Sequence, residues 1–154
     1  KISKNQRSQV MKIFYELKYK KKLDFNLGYA TVDEIDKLNI LEATKLSMLR
    51  AINKFKFNNY VIIIDGNFKL KINSDFCINV IKGDQSSNTI AAASIIAKVH
   101  RDRYIDNIGK NYQSYNWDRN AGYGTKNHIK KILEEGITIH HRKSFDPIKK
   151  LIHN

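Results

Sequence analysis

The run Tyr60-Val61-Ile62-Ile63-Ile64, closed by Asp65-Gly66, constrains the fold more than any other segment. A short apolar run dominated by β-branched residues has no helical period and fits a strand buried on both faces. The rest of the chain alternates around it. Ser3 with Gln6 spells a capping box ahead of the helical stripe Ile13, Phe14 and Leu17, and Lys18 with Lys20-Lys21-Lys22 places positive charge at that helix's end. Leu23, Phe25, Leu27 and Tyr29 alternate and predict a strand over Leu23–Ala30. Thr31 and Glu34 form a second capping box. Ile40 to Phe55 carries Leu41, Leu46, Met48, Leu49 and Ile52 at roughly helical period. Phe76 to Ile81 reads as another strand, ended by Gly83. Asn88 or Thr89 is expected to cap a long helix, Ile90 to about Ile108. Its first half is small and apolar and its second half charged, so it is expected to start buried and end in water. Thr125 caps the last clear helix, stopped by Gly136. Strands alternating with helices place the chain in the α/β class. With no internal repeat, no Pro- or Gly-rich linker and one proline, Pro147, residues 1–154 read as one domain.

Charge narrows the function. Twenty-eight Lys+Arg against fifteen Asp+Glu leave a net +13, a surplus that attracts polyanions, nucleic acid first among them. A Lys-, Asn- and Ile-rich composition imposed by an AT-rich genome is the alternative source of that charge. No apolar run approaches the ~18 residues a membrane span needs, and no apolar stretch follows Lys1-Ile2-Ser3-Lys4 as in a signal peptide. A single cysteine, Cys77, excludes an internal disulfide framework and suits a reducing compartment. A cytoplasmic monomer with no membrane partner is expected.

Two aspartates stand at strand ends. Asp65 closes the apolar run, where α/β sheets place ligand sites; Asp-Gly is also a common turn pair. Asp84 follows the next strand in Lys82-Gly83-Asp84, 19 residues on, enough for the chain to return alongside. Converging carboxylates bind hard divalent cations through oxygen and support in-line phosphodiester hydrolysis; a solvated loop aspartate is the plainer reading. Gly122-Tyr123-Gly124-Thr125 sets an aromatic ring between glycines ahead of a helix. Glycines admit a close backbone, and a tyrosine can meet a sugar or its 2′-OH; a packed helix-entry loop is equally consistent. His140-His141-Arg142-Lys143 is a basic cluster, for phosphate or simply for solvent. Neither zinc spacing nor a phosphate-binding P-loop occurs.

The order of these motifs resembles the ribonuclease HII family over nearly the whole chain. The resemblance is carried by Glu34-Ile35-Asp36, Asn39-Ile40 and Ala43; by Ile64-Asp65-Gly66-Asn67; and by Lys82-Gly83-Asp84, Ser87, Ala91 through Val99 and Arg101-Asp102. It continues in Gly122-Tyr123-Gly124-Thr125 with His128, and in His141-Arg142-Lys143-Ser144-Phe145 with Pro147. It implies a ribonuclease H-like fold, a mixed sheet flanked by helices with a helical C-terminal extension. It also implies Mg²⁺ or Mn²⁺ dependence and hydrolysis of RNA in RNA/DNA hybrids, or at single ribonucleotides in DNA, leaving 5′-phosphate and 3′-hydroxyl ends. By the same resemblance Asp65 and Asp84 are two of four catalytic, metal-binding carboxylates, and Tyr123 contacts the ribose at the scissile junction. Lys98, His141 and Arg142 fall on signature positions, with phosphate contact or support of the site as their roles.

One family motif has no counterpart here. The Asp-Glu-Ala-Gly-Arg-Gly strand, source of the other two carboxylates, does not occur, and Lys1-Ile2-Ser3 with Arg7 matches the interior of a later family motif. The expectation is a C-terminal part of the enzyme, its first strands missing, inactive or nearly so by itself. The competing expectations are a catalytically dead basic module that grips RNA/DNA hybrids, and a basic structural or ribosome-associated protein with chance motif matches.

Overall fold

A computed structural model describes residues 2–56, 59–72 and 77–153. In chain order the elements are α1 (Lys4–Tyr19), α2 (Val32–Leu38), α3 (Ile40–Ile52), β1 (Ile62–Asp65), β2 (Cys77–Val80), α4 (Gly83–Ser86), α5 (Asn88–Asn111), a 3-10 turn Gln113–Tyr115, α6 (Trp117–Asn120), α7 (Lys126–Glu135) and α8 (Ile148–His153). The result is mixed α/β, mostly helical, with one parallel strand pair, consistent with a ribonuclease H-like fold. No helix among the described residues is long and apolar enough to cross a membrane. The chain divides into two compact units, Lys1–Gly28 with Ser47–His100, and Tyr29–Leu46 with Arg101–Asn154.

In the first unit both sides of the Ser3 capping box form: the Ser3 hydroxyl accepts from the Gln6 amide at 3.3 Å, and the Gln6 side chain accepts from the Ser3 amide at 2.8 Å. Two of the orphan amides at that helix end are thereby satisfied. Met11, wholly buried, packs with Ile96 and Val99, and Phe14, Phe25 and Leu27 close over them. Burying a side chain of that size contributes about 2–3 kcal/mol.

Leu23–Ala30 does not form the expected strand. Its alternation reports which side chains turn inward, Phe25 and Leu27, and not a hydrogen-bonded neighbour. Side chains answer its carbonyls instead: the Lys18 ammonium donates to Phe25 O at 2.7 Å and Lys54 to Leu27 O at 2.7 Å.

The strand expected at Tyr60–Ile64 lies at Ile62–Asp65 and is buried on one face, not two. Ile62 and Ile64 join Leu70 in a cluster under Met48, Ile52 and Phe68. Ile63 faces outward, in register with Ile78 of β2, and both are exposed. Among the described residues β1 pairs only with β2, and its buried face is the one that Ile62 and Ile64 present. The second strand begins at Cys77; Phe76 lies outside the described residues. Gly83 does not end that strand but opens α4, after Lys82 in a left-handed turn with φ 55°. Ser87, not Asn88 or Thr89, supplies the side-chain oxygen at the start of α5, toward the Ile90 amide at 3.4 Å. One face of that helix is buried from end to end, instead of its first half being buried and its second exposed. Ile90, Ile96, Val99 and Ile108 turn inward while Ala93 and Ala97 face solvent.

In the second unit Thr31 and Glu34 form their capping box, with bonds of 3.2 and 2.8 Å. The core is Ile108, Tyr115, Trp117, Ile132 and Ile148. Thr125 caps α7 through the His128 amide at 3.3 Å, and Gly136 stops it as expected. A further helix, α8, follows the cis Asp146-Pro147 bond; its six residues are too few to show a period.

Candidate functional site

In the first unit the parallel pairing sets Asp65 against Val80, and the Gly66 amide continues the ladder to Val80 O at 3.0 Å. Asp65 therefore sits at the C-terminal end of β1, and the chain leaving β2 turns back over it. One Asp65 oxygen, Oδ1, accepts from the Gly83 amide at 2.9 Å. Asp84 is the next residue, in the first turn of α4. Gly83 is buried, and a Cβ there would stand 2.4 Å from the end of the Ile90 side chain, which would have to shift to admit it. Both carboxylates are exposed.

The two aspartates named from the sequence are thus brought to one strand end by a hydrogen bond between their segments. Asp65 Oδ2 and the Asp84 carboxylate are hard oxygen donors of the kind a divalent cation takes. No group of three or more His, Cys, Asp or Glu that could hold a metal ion occurs among the described residues. Lys98, also in this unit, is half-buried on α5, one residue before core residue Val99.

Tyr123, His141 and Arg142 belong to the second unit. Tyr123 is 64% exposed. Its loop is built from within: the buried Asn120 donates to Tyr115 O at 2.8 Å and accepts from the Gly122 amide at 2.8 Å. Gly122 has φ +79°, which a side chain would strain. A Cβ at Gly124 would meet nothing within 4 Å, so that side of the loop is open.

His141 is buried, at 5% exposure, and is no part of a solvated basic face. Its Nδ1 accepts from the Thr138 amide at 2.9 Å, so the neutral ring carries its proton on Nε2. That proton points to Nε2 of His128 at 3.3 Å, whose Nδ1 in turn lies 3.2 Å from Tyr115 O. Trp117, Tyr115 and His128 surround the ring with centroids 5.2 Å away. Burial, then the neighbouring His128, pulls His141 down to about 4. Both ring nitrogens of His141 are thus engaged within the chain.

Arg142 is half-buried, its guanidinium 3.8 Å over the Phe145 ring. Burial and then the charge of Arg101 hold it below the usual arginine range, against the pull of Asp36. Asp36 is spent elsewhere. Its carboxylate accepts from the Lys143 amide at 2.8 Å, the Ser144 amide at 3.0 Å and the Ser144 hydroxyl. Burial pushes Asp36 up, but the Ser144 hydroxyl and those two amides outweigh it and leave it below the ordinary aspartate range.

Asp36 and Arg101 entered the sequence reading only as letters of a signature. Their partners lie 107–108 and 20 residues away along the chain, so no local pattern could assign them.

Comparison with known proteins decides what this constellation belongs to. The family model described as Ribonuclease HII matches residues 1–148. The chain belongs to the ribonuclease HII family. It is 44% identical over 151 residues to the Ribonuclease HII of Pelagibacter ubique, covering 98% of this chain and 78% of that relative. It is 49% identical over 129 residues to that of Macrococcus caseolyticus, covering 83% and 48%. With that of Wolbachia pipientis from Culex pipiens it shares 45% over 129 residues, covering 81% and 63%. The chain thus spans between about half and about four-fifths of these ribonuclease HII relatives.

Proposed function

We propose that this chain provides part of a divalent-metal endonuclease that hydrolyses the RNA strand of RNA/DNA hybrids and cuts at single ribonucleotides in duplex DNA. The observation that carries the reading is the Asp65–Gly83 hydrogen bond, which ties the end of β1 to the residue before Asp84. In this reading the two carboxylates hold Mg²⁺ or Mn²⁺. A bound ion of that kind activates water and stabilises charge on the phosphate undergoing displacement. Asp65 stays oriented because one of its oxygens is tied to the backbone. Tyr123, exposed on a glycine-flanked loop, meets the ribose, whose 2′-OH separates RNA from DNA. Arg142 and Lys98 supply positive charge toward phosphates, and the net +13 draws the duplex in. Hydrolysis leaves 5′-phosphate and 3′-hydroxyl ends. A monomer working in the cytoplasm completes the proposal.

The test is cleavage of a DNA duplex carrying one ribonucleotide, with Mn²⁺ or Mg²⁺. Residues 1–154 are assayed alone and joined to an upstream Asp-Glu-Ala-Gly-Arg-Gly strand. The expected result is a cut on the 5′ side of the ribonucleotide by the joined protein, abolished by Asp65→Asn. Folded protein that binds the duplex and never cuts it sinks the enzyme reading and leaves a hybrid-binding module.

A further inference from the structure

We infer that Arg101 is a positioning residue that holds Tyr123 in the attitude from which its ring meets a ribose; this rests on the role proposed above for Tyr123. Arg101 projects from α5 into the loop. Its Nη1 donates to Ala121 O at 3.0 Å, and its guanidinium carbon lies 5.9 Å from the centroid of the Tyr123 ring. A Cβ on Gly122 would stand 3.5 Å from Nη2, so the loop backbone lies against the guanidinium between those two contacts.

The loop needs such a hold. Ala121 and Gly122 both take positive φ, 50° and 79°, so two successive residues leave the usual backbone regions. Asn120 secures the loop at its root. At the tip, the Tyr123 amide donates to Asn120 O and the Thr125 amide to Tyr123 O, each at 2.9 Å. Those bonds place the Tyr123 backbone and leave its side-chain torsions free. Among the described residues the ring pairs with no other aromatic ring. The Arg101 guanidinium is what stands against it, and a planar cation near a tyrosine ring is attractive at exposed sites. Lysine cannot reproduce this, because it lacks the planar fork that lets one group bond a carbonyl and lie against a ring together.

A phosphate contact is the rival role for Arg101, and the two differ in what they do to binding. A phosphate contact strengthens binding to every duplex alike and steepens its salt dependence. A positioning residue acts only through Tyr123 and only where there is a ribose to read. Binding of residues 1–154 is measured by fluorescence anisotropy in EDTA, on a duplex with one embedded ribonucleotide and on its all-DNA counterpart. The readout is the ratio of the two dissociation constants. Arg101→Lys is expected to lower that ratio about two- to five-fold with no change in salt slope. Tyr123→Ala is expected to lower it at least as far, and Arg101→Lys added to Tyr123→Ala to lower it no further. The lysine variant keeps the charge, and far-UV circular dichroism verifies that each variant is folded. A ratio unchanged in Arg101→Lys overturns the inference, as does a further drop in the double variant. So does an Arg101→Gln variant that weakens both duplexes equally and flattens the salt slope by about one. If the unaltered chain shows no preference for the ribonucleotide, or Tyr123→Ala leaves it intact, the role of Tyr123 itself fails and the inference falls with it.

Discussion

Lowering the pH should unlock the second unit through His141. Above pH 6.5 the ring is neutral in both folded and unfolded chains, so its contribution does not vary with pH. Below that value the unfolded chain takes up a proton, while the folded ring resists until about pH 4. The resistance has a structural cause: a charged ring would be stripped of water inside a cage of Tyr115, Trp117 and His128, and His128 opposes a second positive charge beside it. Stability is therefore fully present above pH 6.5 and lost as pH falls toward 4. Evaluated between pH 7.5 and 4.5, the loss is on the order of 2–3 kcal/mol, a large share of a small domain's stability. Urea unfolding followed by Trp117 fluorescence, run across that range, reads the loss directly. His141→Phe keeps an aromatic ring of similar size and cannot titrate, so it should be less stable at neutral pH and lose most of the acid slope. A His141 ring resonance titrating at or above pH 6.5 in NMR, or the same slope in His141→Phe, would mean that His141 is not the source of the acid lability.

Four further outcomes follow from the geometry. If Asp65 holds a metal as proposed, Asp65→Asn in the joined protein should cut cleavage at least about a hundred-fold, since it removes a charged ligand while a side-chain oxygen remains for the Gly83 amide; circular dichroism and single-turnover kinetics separate the two effects. Asp36→Ala should destabilise the protein by about 2 kcal/mol in urea melts, because the charge-assisted bonds to Lys143 and Ser144 disappear together. Asp36 in the unaltered protein adds its own acid lability: its contribution is present above about pH 4 and lost below as the depressed carboxyl protonates. Thr31→Ala should cost about 1 kcal/mol by removing the hydroxyl half of its capping box, and Thr31→Ser should restore most of it.

What could be read from the chain, and what could not, divides by sequence distance. The capping boxes at Ser3 and Thr31 and the Thr125 cap were legible because each is a contact between residues three apart. The strand end at Asp65 and the turn before Asp84 were legible because each leaves a local mark, though only the structure supplies the Gly83 amide that ties the two segments together. Leu23–Ala30 misled because alternation marks an inward face and says nothing about hydrogen-bonded neighbours. The run through Ile64 misled for a related reason: Ile63 is as apolar as Ile62 and Ile64, yet it is exposed while they are buried. His141 was hidden in a string of basic letters, where composition suggests surface while the chain turns one of four side chains into the core. Arg101 found its partners across a loop and Asp36 across most of the molecule, beyond any window read along the chain.

The bond from Asp65 Oδ1 to the Gly83 amide has a consequence for how this site can be watched. A carboxylate oxygen tied to the backbone makes that amide a resident reporter, its hydrogen exchanging with solvent only when the strand end opens. Anything that draws Asp65 away, whether a cation competing for the same oxygen or a proton arriving on it, should quicken Gly83 exchange. Anything that engages only the other oxygen should slow it. A single backbone nitrogen could thus tell, by the direction of its exchange rate, which oxygen of Asp65 a ligand has taken.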